Sequence, residues 1–305
     1  MEASVSSNSF AGQPGSIPPA SFLCATAAEA ARRLDAGGLV LYPTETFFGI
    51  GCRADCESAV LRVFAAKQRK ADMPLPVIIG NAEQAACVVA PEVLARHEPW
   101  AEDQPCGSAN SAPCPSTAPT ADPAPTSCGE PACAPCPDAA PSPNAAHAPA
   151  PESTLNADEA PSAPTSLADD IAALSAFWPG PLTLLLPARP GLPEALTGGT
   201  GRIALRVSPH PAARALALAC GFPIVSSSAN ISGRPPVTQA VELDPELLAA
   251  LSPGTDGIFD LPPAPGGGQA STIAEPLGGR RLILRREGAL SAASLAEAGF
   301  TILRP

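Results

Sequence analysis

Residues 91–165 interrupt an otherwise regular chain, holding 17 of its 40 prolines and a single aromatic residue, Trp100. Alanine, serine and threonine fill most of the rest, and the apolar positions follow neither the 2-residue nor the 3.6-residue period. Such a stretch cannot bury enough apolar surface to offset the entropy lost on ordering. It predicts a disordered Pro/Ala/Cys-rich insertion over 98–165 that splits one folded domain into 21–97 and 166–305. Residues 1–20, rich in Ser, Pro and Gly, read as a loose tail. The interruption also distorts the charge. Ten acidic groups and one arginine in 91–165 supply −9 of the chain's −11, leaving the remainder near −2. The acidic balance therefore does not argue against a locally basic pocket.

No Lys or Arg precedes Arg32 and no run of about 18 apolar residues exists, which predicts a cytoplasmic chain without a leader or membrane span. Of ten cysteines, Cys24, Cys52, Cys56, Cys87 and Cys220 sit in regular segments, where disulfides are not expected without a secretory signal. The other five crowd into 106–136. Cys133 and Cys136 have CxxC spacing, but Cys106, Cys114, Cys128 and His147 are irregularly placed for a zinc site. Compositional drift in a solvated loop is the preferred reading.

The patterning predicts helices over 26–36, 57–67, 82–89, 167–177, 211–219, 245–251 and 292–298. In the second of these, Val60, Leu61, Val63 and Phe64 are expected to face inward. Strands are expected over 39–42, 76–79, 182–186, 203–207, 223–225, 258–260, 272–273 and 282–284, with 43–51 a loop. Strands and helices mixed through both halves imply a single α/β domain: a twisted mixed β-sheet with surrounding helices. No GxGxxG follows a strand and no GxxxxGK[ST] occurs, so neither a Rossmann fingerprint nor a P-loop is present.

Four segments place polar groups at strand ends or in loops, where sites concentrate. Thr44 and Thr46 offer hydroxyls in Pro43–Gly51, although a capped turn explains that segment equally well alone. Lys67, Arg69 and Lys70 close a helix, where cations either bind phosphates or answer the macrodipole. The Ser226–Arg234 run follows an apolar strand with four serines and Asn230, and suits a nucleotide or anion. Arg202 and Arg206 share strand parity and hence a face, while Ser271, Arg285 and Arg286 lie at other strand ends. Only His210 among three histidines lies in the folded part, so no Ser-His-Asp arrangement can be drawn.

Taken in order, PTETFFGIG (43–51), KQR (67–69), PLPVII (74–79), WPGPLT (178–183), RIALRV (202–207), SSSANISG (226–233), ST (271–272) and LRREG (284–288) resemble the YrdC/TsaC family of threonylcarbamoyl-AMP synthases. The resemblance covers about 23–90 and 167–290. It implies helices and a twisted mixed sheet around a basic cavity in which threonine, as its N-carbamate, attacks the α-phosphorus of ATP and pyrophosphate leaves. It implies Lys67 and Arg69 as catalytic cations that also bind ATP, with Arg202, Asn230, Thr238 and Arg286. It places Thr44, Arg206, Ser228 and Ser271 on threonine. It further implies ATP with Mg2+, L-threonine and bicarbonate as partners, no resident cofactor or protein-bound metal, and a downstream transferase acting on tRNA. Family members have also been linked to double-stranded RNA.

The chain departs from the family pattern at Lys70 (commonly Pro), Met73 and Ile78 (Asn and His in some members) and Ala274-Glu275 (usually V-D). Arg286 is chosen over Arg285 because it precedes x-Gly. The insertion has no counterpart in the pattern, and the extra C-terminal domain of longer relatives is not expected. The rival readings are an RNA-binding module without adenylation activity, the carbamoyl chemistry of YrdC-like domains in hydrogenase maturation proteins, and a scaffold built on the Pro-rich insertion.

Overall fold

The computed structural model describes residues 20–70, 74–94 and 165–305. The expectations for the tail before Ala20, for Met73 and for the insertion with its CxxC lie outside the described residues. In chain order the strands are β1 (Val40–Pro43), β2 (Phe48–Gly51), β3 (Val77–Ile79), β4 (Leu182–Pro187), β5 (Arg202–Val207), β6 (Ile224–Val225), β7 (Ser227–Ser228), β8 (Gly257–Ile258), β9 (Thr272–Gly278), β10 (Arg281–Arg286) and β11 (Thr301–Leu303). The helices are α1 (Ala27–Asp35), α2 (Glu57–Ala66), α3 (Pro91–Leu94), α4 (Leu167–Leu174), α5 (Glu194–Thr197), α6 (Pro211–Cys220), α7 (Pro245–Ala249) and α8 (Ala292–Glu297).

The mixed α/β class is as expected, but the strands form two sheets rather than one. Four pair in the order β7-β2-β1-β8 and seven in the order β11-β10-β9-β4-β5-β3-β6. The larger sheet is mixed: β3 and β5, β4 and β9, and β10 and β11 run parallel, whereas β4/β5, β9/β10 and β3/β6 are antiparallel. Periodicity along the chain identifies strands but not their partners, and several of these pairings join residues far apart in sequence.

Helix ends follow the residues that cap them. The Thr26 hydroxyl accepts from the Glu29 amide at the start of α1, and Ser166 and Asp169 form a reciprocal capping box on α4. His210 caps α6, its Nδ1 accepting from the Ala212 amide, and its Nε2 lies 2.8 Å from the Pro263 carbonyl oxygen.

Three local expectations change. Phe48–Gly51 is a strand paired with β1, not part of a loop. Its apolar alternation is disguised because glycine fills the other positions. At Gly51 a Cβ would stand 2.2 Å from the Val225 carbonyl oxygen, so only glycine admits that close approach. Leu61 points outward, 48% exposed, because it lies off the Val60/Val63/Phe64 stripe that α2 buries. The helix expected over 82–89 is a short 3-10 turn, Glu83–Cys87. In addition, Cys24, Cys52, Cys56 and Cys220 are free and buried, but Cys87 is disulfide-bonded. That overturns the expectation of reduced thiols throughout the folded part, at the residue that leads toward the cysteine-rich stretch.

Two apolar clusters meet at β3. Val77 and Ile79 join the larger one with Phe48, Phe64, Leu184 and Leu205, while Ile78 faces the smaller one with Tyr42, Leu34 of α1 and Leu216 of α6. Strand β3 is therefore covered on both faces, and Ile78 belongs to core packing.

Candidate active site

Between the two sheets lies a cavity of about 730 Å3. One wall comes from β2 and β7 with the turn at Thr44–Phe47, and the other from β4, β5, β9 and β10. Among the described residues, five arginines line it, namely Arg69, Arg202, Arg206, Arg285 and Arg286, together with one carboxylate, Glu275. Glu45, within the Thr44–Phe47 turn, is outside the lining and is engaged by Arg206.

Arg202 and Arg206 reach the cavity together because β5 alternates, as their spacing predicts. Arg206 is 8% exposed and pairs with Glu45, whose other oxygen accepts from the Ser208 hydroxyl at 2.7 Å. Burial draws the Arg206 guanidinium down to about 10, with the neighbouring Arg286 charge acting the same way, and leaves it cationic at neutral pH. Arg202 and Arg285 both bind Glu275, at 2.9 Å and 2.5 Å.

Arg285 and Arg286 both face the cavity, although neighbours on a strand normally alternate. A register shift between Leu284 and Arg286 explains this: Leu284 opposes Ala274, Arg286 opposes Ile273, and Arg285 is the extra residue of a β-bulge. Arg286 then donates through Nε and Nη2 to the Ser271 carbonyl oxygen at 3.1 Å and 2.8 Å. Gly288 follows where a Cβ would meet the Ala270 carbonyl oxygen at 2.1 Å, so the segment presses directly on the start of β9. Ser271 shares a 2.9 Å hydrogen bond with the hydroxyl of Thr183 on β4.

Thr44 donates its hydroxyl to the Phe47 carbonyl oxygen at 2.7 Å, closing the turn while its side chain lines the cavity. The turn-capping and ligand-facing readings are thus compatible, since the oxygen still has lone-pair capacity to accept a ligand N–H.

Lys67 is placed differently. It occupies the C-cap of α2, one step further along the Val60/Val63/Phe64 stripe, and is only 3% exposed. Its ammonium donates to the Ser228 carbonyl oxygen and, at 2.7 Å, to that of Asn230. Burial, and then the Arg69 charge, lower it to about 8. Asn230 is likewise turned inward, its Nδ2 donating to the carbonyl oxygens of Ile231 and Arg234. Thr238 is half-buried, and its amide donates to Glu242.

The structure therefore brings Thr44, Arg69, Arg202, Arg206, Ser228, Ser271 and Arg286 onto one cavity and sets Lys67, Asn230 and Thr238 outside its lining. Sequence reasoning passed over Glu275, Thr183 and Glu45 and set Arg285 aside for Arg286. Period-2 alternation from Ser271 through Ile273 reaches Glu275 and was available; the bulge carried no sequence signal.

The Sua5/YciO/YrdC family model, described as "Telomere recombination", matches residues 32–105 and 161–287. The chain belongs to this family. Sua5/YciO/YrdC relatives include the threonylcarbamoyl-AMP synthase of Stenotrophomonas maltophilia, 31% identical over 80% of this chain and 86% of that protein. That of Alkalilimnicola ehrlichii is 29% identical over 74% and 82%. P. abyssi Sua5, solved in complex with L-threonine, is 26% identical with a TM-score of 0.57, covering 91% of this chain and 58% of its own. This chain thus spans about three fifths of that Sua5. E. coli YciO shares the fold, with a TM-score of 0.51 at 15% identity, over 88% of this chain and 92% of its own. The family match leaves 106–160 uncovered, within the insertion expected from composition.

Proposed function

We propose that the chain condenses L-threonine, bicarbonate or carbon dioxide, and ATP into threonylcarbamoyl-AMP and pyrophosphate, working in the cytoplasm. The observation that carries the reading is the convergence of five arginines from distant parts of the chain on one cavity beside the Ser226–Ser228 segment. The names of the relatives agree with it. In this reading the threonine amine takes up carbon dioxide as a carbamate, whose oxygen attacks the α-phosphorus while pyrophosphate departs. Both reactants are anionic and charge grows on the phosphoryl and leaving groups, so preorganised guanidinium groups are the natural stabiliser. Thr44 and Ser271 are suited to the small polar amino acid, and Arg206, already half-neutralised by Glu45, to its carboxylate. ATP enters as its magnesium complex. Glu45 and Glu275 are both engaged by arginines, so the phosphates rather than the protein would hold that ion. The product then serves a downstream transferase that forms threonylcarbamoyladenosine in tRNA.

The test is pyrophosphate release from ATP. Release is expected only when threonine and bicarbonate are both present, and Arg69→Ala is expected to slow it by roughly a hundredfold while leaving the fold intact. Release that ignores threonine, or RNA binding with a steep salt dependence and no turnover, would replace this reading.

A further inference from the structure

We propose that Glu275 is a positioning residue, a single carboxylate that holds Arg202 and Arg285 in fixed orientation on the cavity wall as a pair of anion ligands. The inference deepens the adenylation reading and rests on it for the identity of the anion, a polyphosphate.

The geometry is a three-strand clamp. Oε1 of Glu275 on β9 lies 2.9 Å from Nη1 of Arg202, which reaches across β4 from β5. Oε2 accepts from Nε of Arg285 at 2.8 Å and from its Nη2 at 2.5 Å, on the β10 side. The bulge places Arg285 there; without it, residue 285 would face the opposite side of the sheet. One carboxylate therefore orients two guanidinium groups that approach it from opposite sides.

Exposure separates this arrangement from a stabilising salt bridge. The Glu275 side chain is 4% exposed, whereas those of Arg202 and Arg285 are 38% and 42% exposed. The acid is shut inside and the arginines stay open to the cavity. Each guanidinium carries five N–H donors. Arg202 meets Glu275 as an ion pair through Nη1 and Arg285 donates two N–H groups to it, so outer edges remain for a ligand. Ion pairs to half-exposed arginines add little to stability, and burying the carboxylate costs desolvation that an apolar side chain would avoid. On β9 its same-face neighbours are Ile273 and Leu277, both apolar.

Two effects oppose each other when the charge is removed. Glu275→Gln makes the cavity more positive, which by itself tightens anion binding. Loss of the clamp frees both arginines and weakens it. Binding of inorganic tripolyphosphate, measured by calorimetry on the full-length protein, decides between them. Affinity is expected to fall about tenfold in Glu275→Gln and to stay within about threefold in Glu275→Asp, which retains a carboxylate. The kcat for threonine-dependent pyrophosphate release is expected to fall roughly ten- to a hundredfold in Glu275→Gln while the KM for threonine holds within about twofold. Unchanged or tighter tripolyphosphate binding in Glu275→Gln overturns the proposal, as does a threonine KM that rises in step with the loss of kcat. Should Glu275→Gln fail to fold, Arg285→Lys on the exposed bulge keeps the charge, loses the two-donor contact with Oε2 and so tests the same clamp from its other end. An affinity reduced about tenfold supports the clamp, and an unchanged one overturns it. A wild-type protein that binds tripolyphosphate in this Glu275-dependent way but releases no pyrophosphate keeps the clamp and loses the adenylation reading.

Discussion

Lys67 shows how an ordinary position can become a decisive one. At a helix C-terminus a lysine commonly reaches into water and answers the macrodipole. Here it continues the buried stripe of α2, so its ammonium enters the protein and meets the carbonyl oxygens of Ser228 and Asn230 instead of a carboxylate. It braces the serine–asparagine turn from behind, while Arg69 lines the cavity. Between its value of about 8 in the folded protein and the ordinary 10.5, the native state binds fewer protons than the unfolded chain. Stability must therefore rise with pH across that window. Relative to Lys67→Met, the wild type is expected to gain about 2 kcal/mol of unfolding free energy between pH 7.5 and pH 9.5 in urea titrations. Parallel pH profiles for the two proteins would mean that the ammonium is solvated. Lys67→Ala is expected to suppress pyrophosphate release strongly by loosening the turn; a wild-type rate would remove Lys67 from the site.

At the scale of elements, irregular backbone delivers the charged groups. Helix α2 ends in a Schellman turn: the Gln68 amide donates to Ala65 at 3.0 Å and the Arg69 amide to Phe64 at 2.9 Å, with Gln68 in the left-handed region at φ 51°. This turn stops the helix at Lys67 and throws Arg69 toward the cavity. Glycine adopts such a φ without a Cβ clash, so Gln68→Gly is expected to stabilise the protein by about 0.5–1 kcal/mol in urea denaturation with turnover unchanged. A destabilised variant would show that the Gln68–Glu246 side-chain contact outweighs backbone strain. The β10 bulge does for Arg285 and Arg286 what the Schellman turn does for Arg69, and the glycine at 288 lets that segment close on Ala270.

At the scale of the whole molecule, the two sheets face each other across the cavity, and the motifs meet although some lie more than 200 residues apart. The family match skips 106–160, most of the segment that composition marks as an insertion. Replacing 98–164 with a short Gly/Ser linker is expected to leave pyrophosphate release within about twofold of the full chain, since the entropic cost of closing a loop grows only slowly with its length. A large loss would assign the insertion a part in catalysis. Much of the site was legible beforehand: β5 periodicity placed Arg202 and Arg206 on one face, and the order of short motifs identified the family. Local patterning also marked the helix over 26–36 and the strands over 39–42 and 203–207, each within a residue of α1, β1 and β5, because periodicity acts between near neighbours. The tertiary structure alone decided that there are two sheets, that Lys67 and Asn230 turn inward, and that Arg285 joins Arg286 through a bulge held to Glu275. Those outcomes depend on which distant strands pair and what they leave buried, a balance of long-range packing and desolvation that no single segment encodes.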